Sequence, residues 1–106
     1  MAEVLPWSRL LRRLVDAFAQ VFPDEAAARA FVGTTPVDSR KVAFSPAAET
    51  NWYNILTEAR RQGMIMHLVG EGQDRHADVL DLAAACQDYW AWHAALKGSQ
   101  HAAGDR

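Results

Sequence analysis

From Trp52 to Gly63 the apolar residues Trp52, Ile55, Leu56 and Ala59 recur at i, i+3, i+4 and i+7, which is one face of an α-helix. Asn54, Thr57, Glu58 and Arg61 take the opposite face, and a glycine stands where the helix should stop. The same period runs from about Pro6 to Phe22. There Trp7, Leu10, Leu11, Leu14, Val15, Phe18, Val21 and Phe22 form a broad stripe, and Arg9, Arg12, Arg13, Asp16 and Gln20 line the other side. Pro6 suits a first helical turn and Pro23 blocks continuation.

A second, shorter helix is predicted from an Asp24 cap through Val32, ended by Gly33. Val37 to Phe44 reads as one or two helical turns whose Val37, Val42 and Phe44 dip into the core. Ser45-Pro46 is a start signal, N-cap then proline, for the helix carrying Trp52. Met64, Ile65, Leu68 and Val69 predict a short helix weakened by Gly70 and Gly72, followed by a polar loop from Glu71 to His76. A last helix spans about Asp78 to Leu96, with Val79, Leu82, Cys86, Tyr89, His93 and Leu96 as its packing seam. On it Trp90 lies on the seam side and Trp92 about 200° away. Trp92 is therefore expected under the chain's tail or partly exposed. The expectation is an all-α protein, a compact bundle of five or six helices over residues 5–97, with 98–106 as a flexible tail. Leu11, Leu14, Phe18, Trp52, Ile55, Leu56, Ala59 and Leu68 are its expected structural core.

Composition supports this picture. At 106 residues there is room for one core, alanine is plentiful, and Val, Ile and Thr form no alternating runs. A net charge of −2 supplies no global pull towards nucleic acid or anionic membrane. One cysteine cannot form an internal disulfide, no apolar run approaches membrane-spanning length, and no secretory leader pattern stands at the start. The expected location is the cytoplasm.

Candidate chemistry is sparse. His67, His76, His93, His101 and Cys86 have the donor atoms for a metal, but no two sit three or four residues apart on one helix. Cys86 and His93 are two turns apart, roughly 10 Å along the axis. Cys86 falls on the apolar seam, where burial would raise its pKa rather than activate it. No serine stands in a Gly-x-Ser-x-Gly turn, and Asp78 and Asp81 at a helix start are accounted for by the helix dipole. No cofactor, metal site or catalytic residue is expected. A helical DNA-binding domain is the alternative reading, because Arg9, Arg12, Arg13, Arg40-Lys41 and Arg60-Arg61 are basic clusters. Asp16, Asp38 and Glu58 dilute them, and the helix after Gly63 carries no row of base-reading side chains. Charge is uneven along the chain. Basic residues slightly outnumber acidic ones up to Gly63, and acidic ones dominate from Met64 onward.

Several segments together resemble the bacterial effector-associated domains, first type, a group of bacterial death-like domains. The residues that carry the resemblance are Leu11-x-x-Leu14-x-x-Ala17-Phe18 leading to Phe22-Pro23, and the Ala/Phe-rich second helix. They continue as Trp52-x-x-Ile55-Leu56-x-Glu58-Ala59-x-x-Gln62-Gly63 and then Met66-His67-Leu68-Val69, so that the likeness spans about residues 5 to 90. The chain departs from the pattern at Gly70 and Gly72, over Thr34 to Phe44, and in its long two-tryptophan final helix. The resemblance implies a death-like fold without catalytic residues. It implies an adaptor that pairs with same-type domains on an effector or a sensor, in a bacterial conflict or antiphage system. On that reading Arg9, Arg12, Arg13, Arg40 and Lys41 are candidates for one contact surface, and Asp74, Asp78, Asp81 and Asp88 for the opposing one. The expected partners are like domains, including a weak, salt-sensitive homo-oligomer, and neither nucleic acid nor membrane.

Overall fold

The computed structural model describes residues 4–104, with side chains through Lys97. Five α-helices and one 3-10 turn follow in order: α1 Trp7–Val21, α2 Glu25–Gly33, the 3-10 turn Ser39–Lys41, α3 Ala48–Arg61, α4 Ile65–Arg75 and α5 Leu80–Gly104. Among the described residues there is no strand, and the architecture is a small all-α bundle. No helix among them is long and apolar enough to cross a membrane.

α1 is central. It runs antiparallel to α3, with Trp7 under Arg60 at one end and Phe22 beside Trp52 at the other. It also runs antiparallel to α5, with Trp7 beside Trp92 and Arg13 beside Asp88. Every expected core residue is buried: Leu11, Leu14, Phe18, Trp52, Ile55, Leu56, Ala59 and Leu68. The i, i+3, i+4 periodicity therefore located the core-facing sides of α1 and α3 correctly.

Gly63 ends α3 in the way its position predicts. Its φ of 73° is the left-handed region that glycine enters without a Cβ clash. The amide of Gly63 donates to Arg60 O and that of Met64 to Ala59 O, the paired bonds of a Schellman stop. Gln62 then ties this corner to the 3-10 turn, accepting from the Asp38 amide at 2.8 Å. Val37 and Val42 are buried around that turn and Phe44 packs partly against the core, as expected.

Several boundaries differ from expectation. Pro6 is the N-cap of α1 rather than its first helical residue. Asp24 occupies the N-cap of α2, but its side chain makes no capping bond. Gly33 is the last residue of α2; the hydroxyls of Thr34 and Thr35 donate to the carbonyls of Phe31 and Val32 and finish the helix instead. Ser45 does not cap α3. Its hydroxyl accepts from the Ala47 amide in a local turn, and the helix starts after Ala47.

The largest correction is at α4. The polar loop expected from Glu71 to His76 is helix as far as Arg75, running straight through Gly70 and Gly72. Packing explains why. A Cβ on Gly72 would stand 2.7 Å from the Phe18 ring, so the glycine lets α4 press against α1 at the cost of helix propensity. α5 starts at Leu80, later than expected, and its helix continues past Leu96 to Gly104 without a break at Lys97. The side chains of the expected tail, residues 98–106, and the backbone of its last two residues lie outside the described residues. Along the seam Leu82, Cys86 and Tyr89 are buried; Val79 and His93 are half-buried and Leu96 is exposed.

Candidate interaction surface

α1 turns two flanks outward. Towards α3 an open groove of about 420 Å³ is lined by Ser8, Leu11, Arg12, Val15, Asp16, Glu49, Thr50 and Tyr53. Tyr53 is 53% exposed there, over a floor of nearly buried Leu11 and Val15. Towards α5 a smaller depression is lined by Arg13, Asp16, Ala17, Gln20 and Asp81.

The structure brings some of the predicted contact residues together and separates others. Arg13 Nη1 lies 2.9 Å from Asp88 Oδ2, although one was expected on each of two opposing surfaces. The approach is off the hydrogen-bonding direction, so Oδ2 is held by charge alone. Arg9 and Arg12 are exposed on α1, and Asp81 is exposed beside Gln20 at its other end. Arg13, Asp81 and Asp88 therefore share the α1–α5 side of the molecule with the exposed Arg9, while Arg12 borders the groove towards α3. Asp74 and Asp78 are exposed just before α5, at the acidic end.

Arg40 and Lys41 do not join this surface. They sit on the 3-10 turn, which Gln62 ties to the side of α3 that faces away from α1. Arg40 is engaged locally by Asp38, with Nε 3.1 Å from Oδ1. That hydrogen bond holds the Asp38 carboxyl below its ordinary pKa and raises that of Arg40. Glu58 is likewise lowered, first by its hydrogen bond from Arg61 and then by Gln62. These are short-range, solvent-exposed pairs that fix local geometry and add little stability.

Of the groups considered for chemistry, Cys86, His76 and His93 are taken up by packing, His67 is exposed, and the side chain of His101 lies outside the described residues. Cys86 is fully buried with Sγ 3.8 Å from Val69 O, and burial pushes its thiol up to about 11. Among the described residues no group of three or more His, Cys, Asp and Glu side chains is arranged to hold a metal. His76 meets Phe22 edge-on at 5.1 Å, and His93 stacks on Tyr89 at 6.0 Å. The helix after Gly63 turns outward Met66, His67, Asp74 and Arg75, and Arg75 is paired with the half-exposed Glu71, so this face carries no row of cations for DNA.

Two features escaped the sequence reading. Trp92 is partly exposed, one of the two outcomes expected, but its covered side packs at 5.1 Å on Trp7, with the Arg60 guanidinium 4.2 Å from the Trp7 ring and 5.3 Å from the Trp92 ring. Trp90, on the other flank of α5, donates its Nε1 hydrogen to Gln73 Oε1 at 2.9 Å. The two tryptophans straddle the seam, which angular separation alone left ambiguous. The second feature is Asn51, 1% exposed in α3, with Oδ1 lacking a hydrogen-bond partner. Its place i−4 from Ile55, on the core stripe, was the signal that could have marked it, but its polar side chain kept it off an apolar pattern.

In comparisons with known protein families, curated proteins and solved structures, nothing matches this chain. The class that fold and surface define is a small all-α bundle with a charge-patterned α1–α5 side.

Proposed function

We propose that this chain is a non-enzymatic adaptor domain, cytoplasmic, that pairs with same-type domains to bring an effector to a sensor in a bacterial conflict system. The observation that supports this reading best is the α1–α5 side, where exposed arginines of α1 and aspartates near the start of α5 share one accessible surface. The resemblance in the α1 and Trp52–Gly63 segments supplies the effector context, of protease or caspase-like type. A contact built on exposed charges is weak and salt-sensitive, and avidity from fused or clustered copies would make it effective.

The ion pair between Arg13 and Asp88 changes how this should be tested. Reversing Arg13 would set like charges against each other inside the domain, so the informative substitutions are Arg9→Glu and Arg12→Glu together. In a pull-down between tagged and untagged copies, or with a like domain encoded next to this one, the double variant should lose pairing. Its circular dichroism should match the parent chain. Pairing that survives unchanged at low salt would overturn the surface assignment.

A further inference from the structure

The α1–α5 side is polarised along its length. Arg9 stands towards one end of α1; Asp16, and Asp81 beside Gln20, stand towards the other. At 1.5 Å per residue, Arg9 and Gln20 are about 16 Å apart along the axis. Between them lies the Arg13–Asp88 pair, which leaves the middle of this side without net charge, since the exposed Arg12 next to it lines the groove towards α3. On α5 the outward residues of this face are Leu80, Gln87, Ala91 and Ala95, with Ala84 half-buried among them. Leu80 is 80% exposed, the most exposed of the large apolar side chains among the described residues.

We infer that the occupant of this face is a second copy of the chain, turned end for end by a two-fold axis crossing α1 and α5 at the level of Arg13 and Asp88. This rests on the homotypic reading and specifies its geometry. The turn places Arg9 of each copy between Asp16 and Asp81 of the other, twice over. The neutral middle of the face meets itself on the axis, where any net charge would repel its own image. Leu80 of one copy lies along Ala91 and Ala95 of the other, where short side chains allow close helix approach. A head-to-tail chain of copies satisfies the same charges but leaves Leu80 in water, so the closed pair is the arrangement that uses the whole face.

The test is sedimentation equilibrium of the chain from micromolar to millimolar concentration in low salt. The parent chain should show a reversible dimer and nothing larger. Arg9→Glu and Asp81→Arg should each weaken it about tenfold or more, because every substitution is felt twice. Mixed one to one, the two variants should recover a two-chain species. The carboxylate introduced on α1 of one copy then meets the guanidinium introduced on α5 of the other, while the second contact stays native. Gln87→Cys, close to the axis, should cross-link to a covalent dimer under mild oxidation, and Thr57→Cys on the outer face of α3 should not. Particles that grow beyond two chains, or association indifferent to both reversals, would overturn this face while leaving homotypic pairing standing. A chain that stays monomeric throughout would overturn this face and self-pairing alike, and the pull-down with a like domain would then decide the adaptor reading by itself.

Discussion

The bundle contains two aromatic junctions built on opposite principles. In the first, Phe18, Phe22, Phe31 and Trp52 join α1, α2 and α3, with Phe18 and Trp52 at 4.8 Å and Phe22 and Phe31 at 4.7 Å. Phe18 and Trp52 are completely buried, and the single polar atom of Trp52 donates to Phe22 O at 3.0 Å. In the second, Trp7, Trp92 and Tyr89 join the start of α1 to the far part of α5, roofed by the Arg60 guanidinium. Trp7 and Trp92 there are only half-buried. The first has a dry centre in Phe18 and Trp52, with Phe22 partly exposed at its rim, and holds three helices in one arrangement. The second is a wet clasp whose cation stays solvated, and the difference predicts how each responds to substitution.

Trp52→Ala should do the most damage. It removes a fully buried indole, leaves a cavity among three phenylalanines and orphans Phe22 O, so a loss of about 3–5 kcal/mol is expected in chemical denaturation. For a domain of this size that is a large part of the whole stability. A loss below about 1 kcal/mol would show that the junction relaxes, and the contrast with the clasp would fail.

Gly72→Ala approaches the same joint from α4. On propensity alone it should stabilise the helix by roughly 1 kcal/mol. The added Cβ would stand 2.7 Å from Phe18, whose ring is wedged against Phe31 and Trp52 and has nowhere to swing. Overpacking of this kind costs about 1–3 kcal/mol, so the net change should be destabilising. A rise in melting temperature would mean that Phe18 can move, and that the dry joint is looser than its contacts indicate.

Trp92→Ala tests the clasp. The ring is partly exposed, so the expected cost is about 1–2 kcal/mol, made up of partial burial and the loss of the aromatic contacts with Trp7 and Tyr89 and one cation–π contact. Trp7 should become more exposed, read as a red shift in its fluorescence. A cost equal to that of Trp52→Ala would erase the distinction between the two junctions.

The same contrast explains what was legible in the sequence. The stripes of α1 and α3 follow a local period, so Leu14, Phe18, Trp52, Ile55 and Leu56 could be placed in the core from spacing alone. The Schellman stop at Gly63 is equally local. What spacing could not carry was set by distant partners. Gly72 belongs in a helix because Phe18, far back in the chain, needs the room. Trp92 is partly covered because Trp7 lies across from it, and Arg13 and Asp88 share a surface because α1 and α5 are antiparallel. The candidate contact residues were readable as exposed charges, but their division into two opposed surfaces was a statement about topology, and a charge count contains none.

The smallest effect concerns the seam of α5 that links the two junctions. Burial raises Cys86 from an ordinary 9.0 to about 11 and Tyr89 from 10.0 to about 12, the latter opposed in part by Arg60. Both acids are harder to ionise folded than unfolded, so their contribution is intact below about pH 9, the ordinary value of the thiol. It is lost as the pH rises through the folded values, because only the unfolded chain gains by releasing the proton. At about pH 10 the thiol should cost about 1 kcal/mol relative to about pH 8, and the phenol less. Cys86→Ala should be less stable at every pH yet show a shallower decline across that roughly two-unit window, since only the phenol's share remains. An unchanged slope would mean that water reaches Cys86, and that the seam is as wet as the clasp above it.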